Sequence, residues 1–148
     1  MRRALELAAL GLDATTPNPR VGCVIVKDGE IVGTGYHHKA GTPHAEVWAL
    51  REAGERAKGA TVYVTLEPCA HYGKTPPCAK RVVESGISRV VIGSMDPNPL
   101  VAGKGIAILE DAGIEVTNDV LSEDCIRMNE GFFTYMQTKH PMITLKSA

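Results

Sequence analysis

Two cysteines, Cys69 and Cys78, stand nine positions apart in the segment TLEPCAHYGKTPPC, residues 65–78, together with three prolines, a histidine and a glycine. Most of this segment can be neither helix nor strand, and it offers little to a core. Upstream, His44-Ala45-Glu46 adds an imidazole and a carboxylate. One imidazole and two thiolates make a ligand set suited to zinc, and three protein ligands leave a fourth position open for water. Residues i and i+2 point to nearly opposite faces of a regular helix. His44 and Glu46 therefore serve one site only where a helix begins, and Pro43 marks such a start. Cys78, near the beginning of a later helix, gains thiolate stabilisation from the helix dipole and its free N–H groups. Two thiolates cancel the formal charge of the ion, which then acidifies water less than an all-histidine site does. Glu46 makes up the shortfall as a proton acceptor. It can then hand the proton to a leaving group, which suits hydrolysis at an amino-bearing carbon.

The surrounding pattern says how these residues are positioned. Residues 3–12 carry apolar side chains at helical spacing, and TTPNPRVG ends that helix. In VGCVIVKDGEIVGTGYH, two β-branched runs flank Asp28-Gly29, a preferred pair for a two-residue hairpin turn. PHAEVWALREAGERAK predicts a helix from Pro43 to about Lys58, with Val47, Leu50 and Ala53 on one face and Gly59 as its stop. ATVYVTLE predicts a strand. Thr75 is the expected N-cap of the next helix, with Pro76 and Pro77 in its first turn and Gly86 at its end. SRVVIGSM reads as a strand buried on both faces. GIAILEDAG predicts a helix, IEVTNDV a strand, and SEDCIRMNEGFFTYMQT one final helix. Gly103-Lys104-Gly105 is read as a turn and helix start in preference to a phosphate site. HPMITLKSA reads as the first strand of something further. A hairpin followed by alternating strands and helices predicts a three-layer α/β/α sandwich around a mixed sheet of about five strands.

Composition narrows the partners. The 148 residues are 44% hydrophobic and 22% charged, a globular balance that supports one ordinary core. Sixteen basic and 17 acidic side chains give a formal charge of -1, with no basic stripe. Phosphate neutralisation supplies most of the affinity for long nucleic acids, so a small molecule is the expected partner and nucleic acid is not. No run of about 18 apolar residues predicts a membrane span, and MRRALELAALGL has a helix period rather than a secretory pattern. A cytoplasmic location follows, where thiols stay reduced. Cys23 and Cys125 are read as small core residues, and His38 and His140 as solvated.

The HAE and PC elements resemble the H-x-E…P-C-x-x-C signature of the zinc-dependent nucleobase deaminases. Here eight residues rather than two separate the cysteines. In this respect EPCAHYGKTPPC is similar to the corresponding loop of the pyrimidine deaminases of riboflavin biosynthesis. TPNPRVGCVIVKDGEIVGTGYHHKAGTPHAE and DPNPLVAGKGIAILEDAGIEV resemble two further blocks of that family, so the likeness covers roughly residues 1–140. It implies a cytidine-deaminase-like fold, zinc on His44, Cys69 and Cys78, and Glu46 as the proton shuttle. The implied reaction converts 2,5-diamino-6-(5-phosphoribosylamino)pyrimidin-4(3H)-one to 5-amino-6-(5-phosphoribosylamino)uracil and ammonia. Motif position sets Asn18 and His37 against the pyrimidine, His71, Lys74 and Thr75 near the ribose phosphate, and Asp96 and Asn98 near the ribose hydroxyls. In that family the deaminase is commonly fused to an NADPH-dependent reductase opening with a strand similar to PMITLK. Residues 1–140 are thus expected to be the deaminase domain, and 141–148 the start of a truncated or absent reductase, to which NADPH would belong. The relationship also implies a homo-oligomer.

Two alternatives stand beside this reading. One is another zinc deaminase, acting on a transfer-RNA adenosine or a cytosine nucleotide. Neutral charge counts against the first of these substrates, and the proline-rich loop against both. The other is a non-catalytic zinc module with His71 as a fourth ligand, which leaves Glu46 without a task.

Overall fold

The structure, a computed structural model, describes residues 1–72 and 76–146. Alternation along β1 (Gly22–Lys27) sends Cys23 and Ile25 into one apolar cluster and Val24 into another, the period-two signature of a strand covered on both sides. The hairpin to β2 (Glu30–Tyr36) turns at Asp28 and Gly29, with φ of 49° and 80°. Two consecutive positive φ values match the twist of the flanking strands. β3 (Thr61–Leu66) pairs antiparallel with β1, and β4 (Arg89–Ser94) and β5 (Glu115–Thr117) continue the sheet in parallel. The order is β2-β1-β3-β4-β5. The sandwich expected from the sequence is the one observed.

One face of the sheet is covered by α2 (Ala45–Ala53), α3 (Cys78–Glu84) and α4 (Lys104–Asp111). Ala49, Ala79, Val82, Ile106 and Leu109 pack there against Cys23, Ile25, Val62, Val64, Val90 and Ile92. The other face carries α1 (Arg2–Ala9), whose Ala4 and Leu7 meet Val24. α5 (Ser122–Met128) lies beside α1 on that face, against β3 and β4. α2 rests unusually close to β2. A Cβ on Gly33 would run into the Ala49 carbonyl, and one on Gly35 into the Ala45 carbonyl. The side-chain-free backbone at these two positions lets the helix that begins beside His44 lie directly on the strand.

Several boundaries differ from the sequence reading, each for a physical reason. α2 stops at Ala53, because Gly54 takes φ 53° and ψ -133°, and a 3-10 turn (Gly54–Ala57) follows. α3 begins at Cys78 rather than with the prolines. Pro77 is its N-cap with ψ 146°, and Pro76 precedes a proline, which disfavours helical backbone. Thr75, the expected cap, lies outside the described residues. The final segment is two helices, α5 and α6 (Glu130–Thr138), broken at Asn129 with φ -116° and ψ 26°. β5 is only three residues long, and residues 141–146 form no strand. Among the described residues no helix is long and apolar enough to cross a membrane.

Candidate metal centre and its cavity

His44 caps α2 in an extended conformation, φ -70° and ψ 164°, so it and Glu46 converge despite their i, i+2 spacing. Cys69 follows β3 and Cys78 is the first residue of α3. The His44 Nδ1 lies 3.4 Å from the Cys78 Sγ and 3.7 Å from the Cys69 Sγ. The three ligand atoms fall within 4.8 Å of one another. A tetrahedral zinc site with bonds of about 2.0–2.3 Å has ligand–ligand edges of about 3.3–3.8 Å. The donor set and its spacing therefore fit zinc. The start of α3 also serves Cys69 directly. The Cys78 N–H donates to the Cys69 Sγ at 3.2 Å, and the Ala79 N–H to the Cys69 carbonyl at 3.1 Å. These are N–H groups that a helix leaves without internal partners.

The electrostatics agree. The Cys69 thiol is brought down to about 4, chiefly by hydrogen bonding from the Cys78 thiol, with further support from His44 and the Cys78 N–H. The Cys78 thiol moves the opposite way, because it is the donor in that bond and is buried. Contact with Cys69 raises His44. Glu46 is 4% exposed, and burial pushes its carboxyl up to about 6. A carboxyl in that range exchanges protons readily near neutrality.

The centre opens into a cavity of about 380 Å³, lined by Asn18, His37, His44, Glu46, Cys69, His71, Asp96 and Asn98 among others. The structure thus brings together every sequence-nominated site residue it describes, Cys78 through the ligand cluster at 3% exposure and the others as cavity lining. Lys74 and Thr75 lie outside the described residues. His71 lines the cavity but does not join the ligand cluster.

His37 is 2% exposed, its Nδ1 3.2 Å from the Pro43 carbonyl and its Nε2 3.2 Å from the Asn18 Nδ2. A carbonyl can only accept, which assigns the proton to Nδ1 and leaves Nε2 to accept from the Asn18 amide. Burial lowers the His37 pKa, consistent with this neutral tautomer. The Asn18 Oδ1 is then the acceptor that side chain can offer a ligand. Across the cavity, the Asp96 Oδ1 accepts the Asn98 N–H at 2.8 Å and the Asn98 Oδ1 the Leu100 N–H at 3.1 Å. Each side chain folds its own loop in an Asx turn. Burial raises the Asp96 carboxyl.

Sequence reasoning passed over three residues of this site. Glu67, 6% exposed, accepts the backbone N–H groups of Asp96, Gly103, Gly105 and Ile106 at 2.9–3.3 Å. It occupies the helix start that Gly103-Lys104-Gly105 would otherwise offer to an anion. An acid at the end of a buried strand, with a glycine-flanked helix start downstream, was the available signal. Phe132 and Met136 also line the cavity. Their i, i+4 spacing puts them on one face of α6, but nothing in the sequence said which cavity that face meets.

A zinc-competent cluster at the ends of β3, α2 and α3, with a buried acid beside it, defines a class. The chain belongs to the family described as the cytidine and deoxycytidylate deaminase zinc-binding region, which it matches over residues 1–94. Among individual proteins, it is 59% identical over 148 residues to the riboflavin biosynthesis protein RibD of Haemophilus influenzae, covering 100% of this chain and 40% of that protein. The structure of Acinetobacter baumannii RibD superposes with a TM-score of 0.91 at 58% identity, over 93% of this chain and 39% of the other. A Thermotoga maritima diaminohydroxyphosphoribosylaminopyrimidine deaminase/5-amino-6-(5-phosphoribosylamino)uracil reductase gives 0.90 at 49% identity, over 95% and 41%. The likeness to riboflavin-pathway deaminases read from the PNP blocks and the proline-rich loop is borne out. The chain spans about 40% of the length of these relatives.

Proposed function

We propose that this chain is a zinc-dependent hydrolase that deaminates 2,5-diamino-6-(5-phosphoribosylamino)pyrimidin-4(3H)-one to 5-amino-6-(5-phosphoribosylamino)uracil, releasing ammonia. The observation that carries the reading is a buried Glu46 beside three zinc-fitting ligands in a cavity lined by Asn18, His37, Asp96 and Asn98. The deaminase activity for which the Thermotoga maritima relative is named supports the choice of substrate.

His44, Cys69 and Cys78 would hold the metal, and zinc bound there would supply Lewis acidity toward a water near the amino-bearing ring carbon. Glu46 takes one proton of the attacking water and delivers it to the ring nitrogen. It then takes the remaining proton from the new hydroxyl and gives it to the amine, which leaves as ammonia while the carbonyl forms. Asn18, fixed by its bond to His37, offers Oδ1 to an N–H of the pyrimidine. Asp96 and Asn98 face the ribose hydroxyls, and His71, Lys74 and Thr75 take the phosphate side. Residues 1–140 act as the deaminase unit, and NADPH chemistry belongs to sequence beyond it in the longer relatives.

Glu46→Gln tests the mechanism. Zinc content and fold should be retained while turnover of the diaminopyrimidine falls by at least about 100-fold. Unchanged turnover removes Glu46 from the chemistry. Activity on cytidine or RNA without activity on the diaminopyrimidine overturns the substrate.

A further inference from the structure

The break between α5 and α6 carries a connection that the proposed reaction does not yet use. Asn129 is 7% exposed, and its amide makes two bonds to one distant residue. Its Oδ1 accepts the Arg20 N–H and its Nδ2 donates to the Arg20 carbonyl, both at 2.8 Å and across 109 residues of sequence. Two facing residues of an antiparallel ladder exchange bonds in this way. Here a side chain supplies both. The Arg20 Nη2 adds a third bond, to the Met128 carbonyl at 2.9 Å.

Both partners of this clamp lead into the cavity. Two residues before Arg20 stands Asn18, whose amide holds His37, which in turn bonds the carbonyl just before His44. On the other side, the Asn129 N–H closes α5 on Ile126 and its carbonyl receives the Phe133 N–H to begin α6. Three and seven residues further on, Phe132 and Met136 form part of the cavity wall. One side chain therefore joins the loop carrying Asn18 to the helix carrying Phe132.

We infer that Asn129 is a positioning residue of the deamination site, fixing the Asn18 loop and the Phe132–Met136 wall at one separation through its two bonds to the Arg20 backbone. This rests on the proposed reaction, because the ring held between those walls is its substrate. The two functional groups of the amide are both needed. Aspartate keeps an acceptor for the Arg20 N–H but sets a second oxygen against the Arg20 carbonyl. Alanine leaves both backbone groups without partners.

The test uses zinc-loaded Asn129→Asp and Asn129→Ala, with metal content confirmed by elemental analysis. Losing the clamp should raise KM for the diaminopyrimidine phosphate by about 10-fold, with kcat per bound zinc changed less than about threefold. Asn129→Ala should add less than its full effect to the KM of Asn18→Ala, because part of that effect runs through the Asn18 side chain. A KM unchanged in both variants while thermal stability falls would show that Asn129 only satisfies buried backbone, and the inference would fail. So would full additivity with Asn18→Ala. If Asn129→Ala does not fold, Asn129→Asp decides. Amide hydrogen exchange separates this inference from the choice of substrate. Even if the diaminopyrimidine is not turned over, residues 18–22 and 130–136 should lose protection together in the variants, and loss confined to one segment overturns the clamp.

Discussion

The two sides of the cavity are built by different means. On the metal side, His44, Glu46, Cys69 and Cys78 sit at the ends of β3, α2 and α3. The ligand atoms of His44, Cys69 and Cys78 converge on one point, with buried Glu46 beside them. Away from the ligand cluster, side chains are aimed at backbone. Glu67 takes four N–H groups from residues 96–106, and Asn129 takes both backbone groups of Arg20. The metal side holds donors spaced to fit an ion, whereas these other side chains are committed to backbone. Loss of a residue on the first side should remove chemistry and spare the fold. Loss on the second should loosen both.

Experiments can break this contrast. The largest effect is expected for Cys69→Ser and Cys78→Ser. Either should release zinc, by elemental analysis of purified protein, and abolish turnover. Full zinc occupancy in both variants would mean that the ligands are wrong. Glu67→Gln should keep zinc but lower stability by about 2–4 kcal/mol in chemical denaturation, since the new NH2 must face backbone N–H donors in a buried site. A loss of turnover without a loss of stability would move Glu67 to the metal side of the comparison.

The smallest effect should come from Glu52, far from either wall. Its Oε2 accepts the Thr34 hydroxyl and N–H, which lowers its carboxyl below 4.5. A depressed carboxyl contributes stability above its unfolded value and loses it as pH falls through the folded one. Glu52→Gln should therefore cost under about 1 kcal/mol at pH 7, given the exposure of the pair. The difference from the parent protein should vanish as pH drops well below 4.5.

How much of this the sequence disclosed follows the same divide. The metal side was legible because its signals are local: a proline before HAE, a proline before each cysteine, and a strand or helix end at each. The sheet was legible from Asp28-Gly29 and the valine-rich runs. The opposite wall was not. Helical periodicity continues through SEDCIRMNEGFFTYMQT without interruption. Asparagine is only mildly unfavourable inside a helix, so the break at Asn129 depends on a loop more than a hundred positions earlier. Glu67 was hidden similarly, since the N–H groups it receives belong to a loop and helix start some 30–40 residues downstream. The prolines before Cys78 misplaced the start of α3 because Pro76 is itself followed by proline.

The bare backbone of Gly33 and Gly35 bears on how this domain can change over evolutionary time. The helix presenting His44 and Glu46 has no cushion of side chains between it and the strand beneath. A single added methyl there would act as a shim, lifting the imidazole and the acid off their common focus with no change to either. Variation at the exposed Glu30 and Ile31 should be cheap by comparison, although they belong to the same strand.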